Sequence, residues 1–306
     1  MSAENLRSSR GSETSLIELD PQLFAAYFDK KPFHVGHGLG DHRLFALPRL
    51  MELAGSLPEA FVEYNGGNLP VGASAAQTPR NGLSPEETVR RIAECGSWMV
   101  LKRVEQSPDY GALLDRCLDE VAAQAGAAVP KMLRREGFIF LSSPGSLTPF
   151  HLDPEHNFLL QISGTKTVNM WDRGDRFVLP DRELETFYSA FVHRNLPWRD
   201  VFQTTAWQVP LSPGQGLHFP VAVPHWVKNG PAVSISFSIT FRSESSASRE
   251  LVYRANARLR KLGLSPRPPG ESTLLDSTKR VAFAALSELK RRRARAKALW
   301  QESGRR

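Results

Sequence analysis

Thr148-Pro149-Phe150-His151-Leu152-Asp153-Pro154-Glu155-His156-Asn157-Phe158-Leu159-Leu160-Gln161-Ile162-Ser163-Gly164-Thr165-Lys166 is the densest run of chemistry-bearing residues in the chain. Successive side chains on a β-strand point to opposite faces. A strand from His151 to Gln161 therefore presents the imidazole of His151 and the carboxylate of Asp153 to one point, with Leu152 on the other face. Ser163-Gly164-Thr165 is turn chemistry, and Lys166 to Trp171 reads as the next strand.

Working outward, short apolar or alternating segments recur: Phe138 to Leu141, Val201 to Val209, Gly216 to Phe219, His225 to Lys228 and Ala232 to Phe241. Ser143-Pro144-Gly145-Ser146 and Ser212-Pro213-Gly214-Gln215-Gly216 punctuate them. Short strands at such intervals predict a mainly β architecture, an antiparallel barrel or jelly roll, over residues 136–245. A third ligand comes from His225, behind the turn residues Pro220 and Pro224. Its rival is His218, seven residues earlier. Two histidines and one carboxylate form the facial triad of non-haem Fe(II), which leaves three adjacent coordination positions open. Zinc is more often closed by four ligands, or by three with a water.

Residues 16–135 are read as mostly helical, with one or more strands. Pro21 to Phe28, Leu47 to Leu57, Ser84 to Cys95 and Tyr110 to Ala125 are the helices, and Ser97 to Arg103 is a strand. Ser84-Pro85-Glu86-Glu87 is a helix start, with a capping serine, a proline at the first position and early acid. A polar insertion, Asp172 to Pro197, carries a helix near Leu184 to Phe191. Residues 246–306 hold two further helices: one with the stripe Leu251, Ala255, Leu259, Leu262, and one from about Ser277 with Val281, Ala285 and Leu289 on a face. That pair either packs on the barrel or joins a second subunit as a homodimer element.

The 306 residues carry a net charge of +7. From Arg249 to Arg306 there are 16 Lys/Arg against 5 Asp/Glu, a net of +11 that leaves −4 for the remainder. The basicity is thus a property of the C-terminal helices, better read as a solvated face than as a nucleic-acid contact. With only Cys95 and Cys117 there is no disulfide framework, which fits a reducing, cytoplasmic setting. Residues 1–15 are polar, are expected to be disordered and lack a secretory apolar stretch, and no run of eighteen apolar residues predicts a membrane span.

Six other histidines need an account. His34, His37 and His42 lie in a glycine-rich run read as a loop, serving structural hydrogen bonds or a substrate-side surface. His156 is placed at the rim of the substrate entrance, His218 is the rival ligand, and His193 is given no role.

The run Thr148-Pro149-Phe150-His151-Leu152-Asp153, then Asn157-Phe158 and Gln161-Ile162-Ser163-Gly164-Thr165-Lys166, followed by Pro220 to His225, resembles the cupin-like JmjC oxygenases. Within them it resembles the asparaginyl hydroxylase that inhibits hypoxia-inducible factor. The match covers residues 136 to 242, about a third of the chain. It implies a double-stranded β-helix, Fe(II) with 2-oxoglutarate as cosubstrate and O2 as oxidant, and hydroxylation of a C–H bond on a peptide, protein or small molecule. It further implies that His151, Asp153 and His225 hold the metal, that Lys166 pairs with the distal carboxylate of 2-oxoglutarate, that Thr148 hydrogen-bonds the same cosubstrate, and that Asn157 lies either behind the metal ligands or on the cosubstrate. Ser238 stands where the hydroxylase has an asparagine, and no tyrosine lies between Ser97 and Arg103, where Trp98 is the lone aromatic. The competing reading is a non-catalytic metal- or ligand-binding cupin acting through its basic tail. A histone-type demethylase would need a methyl-lysine pocket.

Overall fold

The computed structural model describes residues 15–74, 79–190 and 194–303. The expected disordered N-terminus lies outside them except for Ser15, as do Phe191 and His193.

Among the described residues, twelve strands form two antiparallel sheets. The smaller holds β6 (Leu147–His151), β11 (His225–Asn229), β8 (Lys166–Met170) and β9 (Trp207–Leu211), in that order. The larger runs β1 (Ile17–Glu18), β2 (Phe33–His37), β10 (Gln215–Phe219), β7 (His156–Ser163), β12 (Ser234–Arg242), β5 (Leu133–Ser142), β4 (Ser97–Lys102), β3 (Val62–Gly66). Its four central strands and the smaller sheet are the two halves of a double-stranded β-helix, the expected fold. The segment before residue 130 extends the larger sheet at both edges with two strands each.

Period-2 alternation explains how the larger sheet serves two cores. On β12, Ile235, Phe237, Ile239 and Phe241 join a cluster with Phe24, Leu50, Leu114 and Leu118, which come from α1 (Pro21–Tyr27), α2 (Leu47–Ser56) and α4 (Pro108–Ala125). The opposite face of β12 is polar. Ser236 donates to Gln161 Oε1, Ser238 to Asn157 Oδ1 and Thr240 to the Glu136 carbonyl. On β8, Val168 and Met170 pack with Leu159, Leu217, Phe219 and Val227 inside the barrel. Lys166 has their parity.

Four local expectations are corrected. The strand expected from His151 to Gln161 is two, because Pro154, which has no amide hydrogen, falls between β6 and β7. Phe33–His37 is a strand, not a loop. Phe33 and Val35 alternate inward, and pairing of the segment to β10 overrides the glycines. Asp200–Thr205 is a 3-10 segment, so the strand expected from Val201 begins at Trp207. The helix at Ser84 caps as expected, with Ser84 Oγ accepting from Glu87 N, but α3 spans only Pro85–Arg90.

Helices α5 (Asp181–Ala190), α6 (Glu244–Lys261) and α7 (Thr273–Ser303) follow. α6 packs on α5 through the stacked rings of Tyr253 and Tyr188 and the two hydrogen bonds from Arg260 to Glu185. On α7 the expected stripe of Val281, Ala285 and Leu289 is exposed, and the buried contact is Phe283, under the guanidiniums of Arg254 and Arg258. Among the described residues no helix is long and apolar enough to cross a membrane.

Candidate metal centre

His151 closes β6, Asp153 lies in the turn beyond it and His225 opens β11. β6 and β11 pair with His225 directly opposite His151, their ring centroids 4.1 Å apart. Register between two strands therefore assembles the site, rather than alternation along one. One donor atom from each of His151, Asp153 and His225 lies within 4.8 Å of the others. It is the one such group of His, Cys, Asp and Glu found among the described residues.

Both rings are oriented by main-chain carbonyls: Nδ1 of His151 faces Pro149 O at 2.7 Å, and Nδ1 of His225 faces Val223 O at 2.9 Å. A neutral imidazole that donates from Nδ1 keeps the Nε2 lone pair free, the tautomer a metal needs. Burial lowers the pKa of both, that of His225 to about 3, so both are neutral imidazoles. Burial pushes the Asp153 carboxyl up, but Arg194 beside it, with His151 and His225, draws it well below the usual carboxylate range. Two imidazoles and an ionised carboxylate suit a divalent first-row ion.

Arg194 was not legible in the sequence. It sits in the polar insertion, which returns to pair with the end of β6. Leu152 N donates to Arg194 O, Leu196 N to Phe150 O, and Asn195 bridges His151. This brings the guanidinium onto Asp153 Oδ1, with Glu155 Oε2 at 3.6 Å. Glu155 is itself buried, its pKa raised by that burial, and its second oxygen lies 3.5 Å from Arg242.

His151 and Asp153 open on a cavity of about 450 Å³ whose wall includes Trp98, Phe138 and Phe140 together with Thr148, Asn157 and Ser238. Lys166 stands behind that wall, its Nζ 6.0 Å from the Phe140 ring centroid. It has no hydrogen-bond or ion-pair partner among the described residues, and burial lowers its pKa to about 7. The buried Trp98 Nε1 also lacks an acceptor.

The remaining histidines lie elsewhere. His218 and His156 project from the opposite face of the larger sheet. There His218 packs on Phe28, Phe33 and Phe158, and His156 stacks between Phe28 and Phe241. His218 thus cannot serve as third ligand, and His156 is fully buried rather than at a rim. His37 faces Gln161 O through Nε2 and accepts from Leu39 N, and His42 accepts from Leu44 N, both structural roles.

Fold and site together define a double-stranded β-helix of JmjC and cupin type with a two-histidine, one-carboxylate centre. No family model matches the chain. Over 144 residues, 44% of its length, it is 28% identical to lysine-specific demethylase 8 of Xenopus tropicalis, and the match spans only 28% of that protein. Its structure is similar to that of Escherichia coli YcfD, with a TM-score of 0.50 and 19% identity over 88% of this chain and 67% of the other. A further YcfD structure, described as a ribosomal oxygenase in complex with cobalt and 2-oxoglutarate, gives a TM-score of 0.47 at 17% identity over the same shares.

Proposed function

We propose that the chain is an Fe(II)- and 2-oxoglutarate-dependent oxygenase that hydroxylates a C–H bond of a peptide or protein side chain. The observation that carries this reading is Lys166. An ammonium inside a barrel without a counter-charge is costly, and a protein retains one where a ligand supplies the anion. Lys166 shares the inward face of β8 with Val168 and Met170, and Phe140 relates it to the same cavity as the triad. A dicarboxylate that chelates the metal at one end finds its distal partner there. This is what separates the reading from that of a metal-binding cupin with no cosubstrate.

Bound Fe(II) and 2-oxoglutarate would supply the oxidising chemistry, decarboxylation of the cosubstrate coupled to C–H oxidation. The chain's own part is ligation and positioning. His151 and His225 offer Nε2, Asp153 offers the oxygen that Arg194 does not hold, and Thr148 offers a hydroxyl with no partner among the described residues. Trp98, Phe138 and Phe140 give the cavity an apolar wall beside the centre. A side-chain substrate is supported by the name of the sequence relative, a demethylase specific for lysine. It is also supported by the charged pairs lining the cavity, Glu63 with Lys102 and Glu155 with Arg242.

The test is uncoupled turnover. With Fe(II), ascorbate and 2-oxoglutarate the protein should release succinate slowly, and Asp153→Ala should release none. A chain that neither binds 2-oxoglutarate nor forms succinate is not this enzyme. Mass spectrometry of candidate peptides then separates hydroxylation, a gain of one oxygen, from loss of a methyl group.

A further inference from the structure

A second cleft, of about 560 Å³, opens between the loop after β8, helix α6 and the first turns of α7. Four arginines line it, and their partners do not neutralise them. Arg176 is paired with Asp181 at 3.0 Å. Arg173 and Arg249 share one carboxylate, Asp29, at 2.8 and 3.1 Å. Arg280 donates only to hydroxyls, to Ser248 Oγ at 3.1 Å and Ser277 Oγ at 3.0 Å, and no carboxylate pairs with it among the described residues. Asp276, also on the wall, accepts from Gly270 N and lies 4.0 Å from Lys279. With Lys279 counted, five cations thus meet three carboxylates, Asp29, Asp181 and Asp276, and a positive surplus remains on one side of the cleft.

The other side is apolar. Val252 and Tyr253 of α6, with Leu184 and Val221, form it, and Val252 and Tyr253 are almost fully buried. A concave site with an apolar wall and converging guanidinium and hydroxyl donors is built for an organic anion. We propose that this cleft binds a small molecule carrying a phosphate or carboxylate group, the anion on Arg280, Arg249 and Arg173 and the apolar part against Val252 and Tyr253. None of these residues belongs to the metal centre, so the inference stands apart from the oxygenase reading.

Calorimetric titration of the full chain with phenyl phosphate, benzoate and inorganic phosphate tests it. Saturable binding is expected for an aryl anion and should be tighter than for inorganic phosphate, which cannot use the apolar wall. Phenyl phosphate ahead of benzoate identifies a phosphate ester, and the reverse order a carboxylate. Arg280→Ala should weaken binding about tenfold or more, the loss of one charge-assisted contact. Ser277→Asp, which leaves Arg280 in place but neutralises it, should do the same. Unchanged thermal unfolding shows that both variants remain folded, and Asp153→Ala should bind as the parent does. The proposal is overturned if no probe binds saturably, if inorganic phosphate binds as tightly as the aryl anions, or if both cleft variants bind like the parent.

Discussion

Asp153 Oδ2 lies 3.9 Å from His225 Nε2, while the other carboxylate oxygen is held by Arg194. The separation is too long for a hydrogen bond and short enough for two ligands of one ion, each about 2.0–2.2 Å from it. Arg194 stabilises the anion and fixes its rotamer, so the oxygen turned to the histidines is the free one. In metal centres such outer partners set affinity almost as strongly as the ligands do.

Removing a ligand and removing its support should therefore differ in degree. Asp153→Ala and His225→Ala are expected to abolish saturable Co(II) binding, followed by its visible absorption. Arg194→Ala should weaken it by roughly tenfold. His218→Leu should leave it unchanged, because His218 faces the helical layer. Loss of Co(II) binding in His218→Leu with retention in His225→Ala would return the rival histidine to the site.

Lys166 gives a pH signature. Its folded pKa, about 7, is below the ordinary value of 10.5. The unfolded chain thus binds an extra proton between those values, and stability should rise with pH across that window. Lys166→Met lacks this contribution, so parent minus variant stability, from urea unfolding, should climb from about pH 7 to about pH 10. A dicarboxylate that pairs with Lys166 restores its proton. Binding of 2-oxoglutarate near pH 8 should accordingly take up protons, visible as a buffer-dependent heat, and Lys166→Met should abolish it. Uptake that persists in the variant places the anion elsewhere.

Gly164 turns β7 into β8 with φ +67°, and a Cβ there would lie 2.2 Å from Val233 O. Both backbone strain and collision with main chain disfavour any side chain. Gly164→Ala should destabilise the fold by about 1–3 kcal/mol. It should also weaken 2-oxoglutarate binding, because Lys166 follows two residues later. A variant as stable as the parent would mean that the hairpin relaxes freely.

The Gly164 turn was visible in the sequence because turn chemistry is local, as was the alternation that makes β8 and β12 strands. Asp153 drew notice through an i, i+2 argument, whereas Pro154 ends the strand and the contact depends on the register of β6 against β11. Register is a long-range property that spacing does not encode. Arg194 was invisible for the same reason: its insertion reads as polar surface until the backbone of residues 194–196 pairs with residues 150–152. Phe33–His37 misled because its glycines spoke for a loop, while pairing to β10, far along the chain, decided for a strand.

His156 and His218 make the acid limb of stability predictable. Both rings are enclosed by Phe28 and its neighbours, with His156 Nδ1 and His218 Nε2 lacking partners among the described residues. Burial lowers His156 to about 4, and burial with the nearby His156 takes His218 well below its usual 6.5. Asp29 opposes the shift and Arg173 and Arg249 reinforce it at His156, while the Asn157 carbonyl and Asp29 oppose it at His218. A group whose folded pKa is depressed below its unfolded value costs stability as pH falls, because only the unfolded chain takes up the proton. Stability should thus decline between about pH 6.5 and about pH 4 more steeply in the parent than in His218→Leu. At neutral pH the variant should lose about 1 kcal/mol for the bond to Asn157 O. The two unfolding curves should then converge or cross on acidification, and parallel curves would show that the enclosed histidines are protonated in the folded chain.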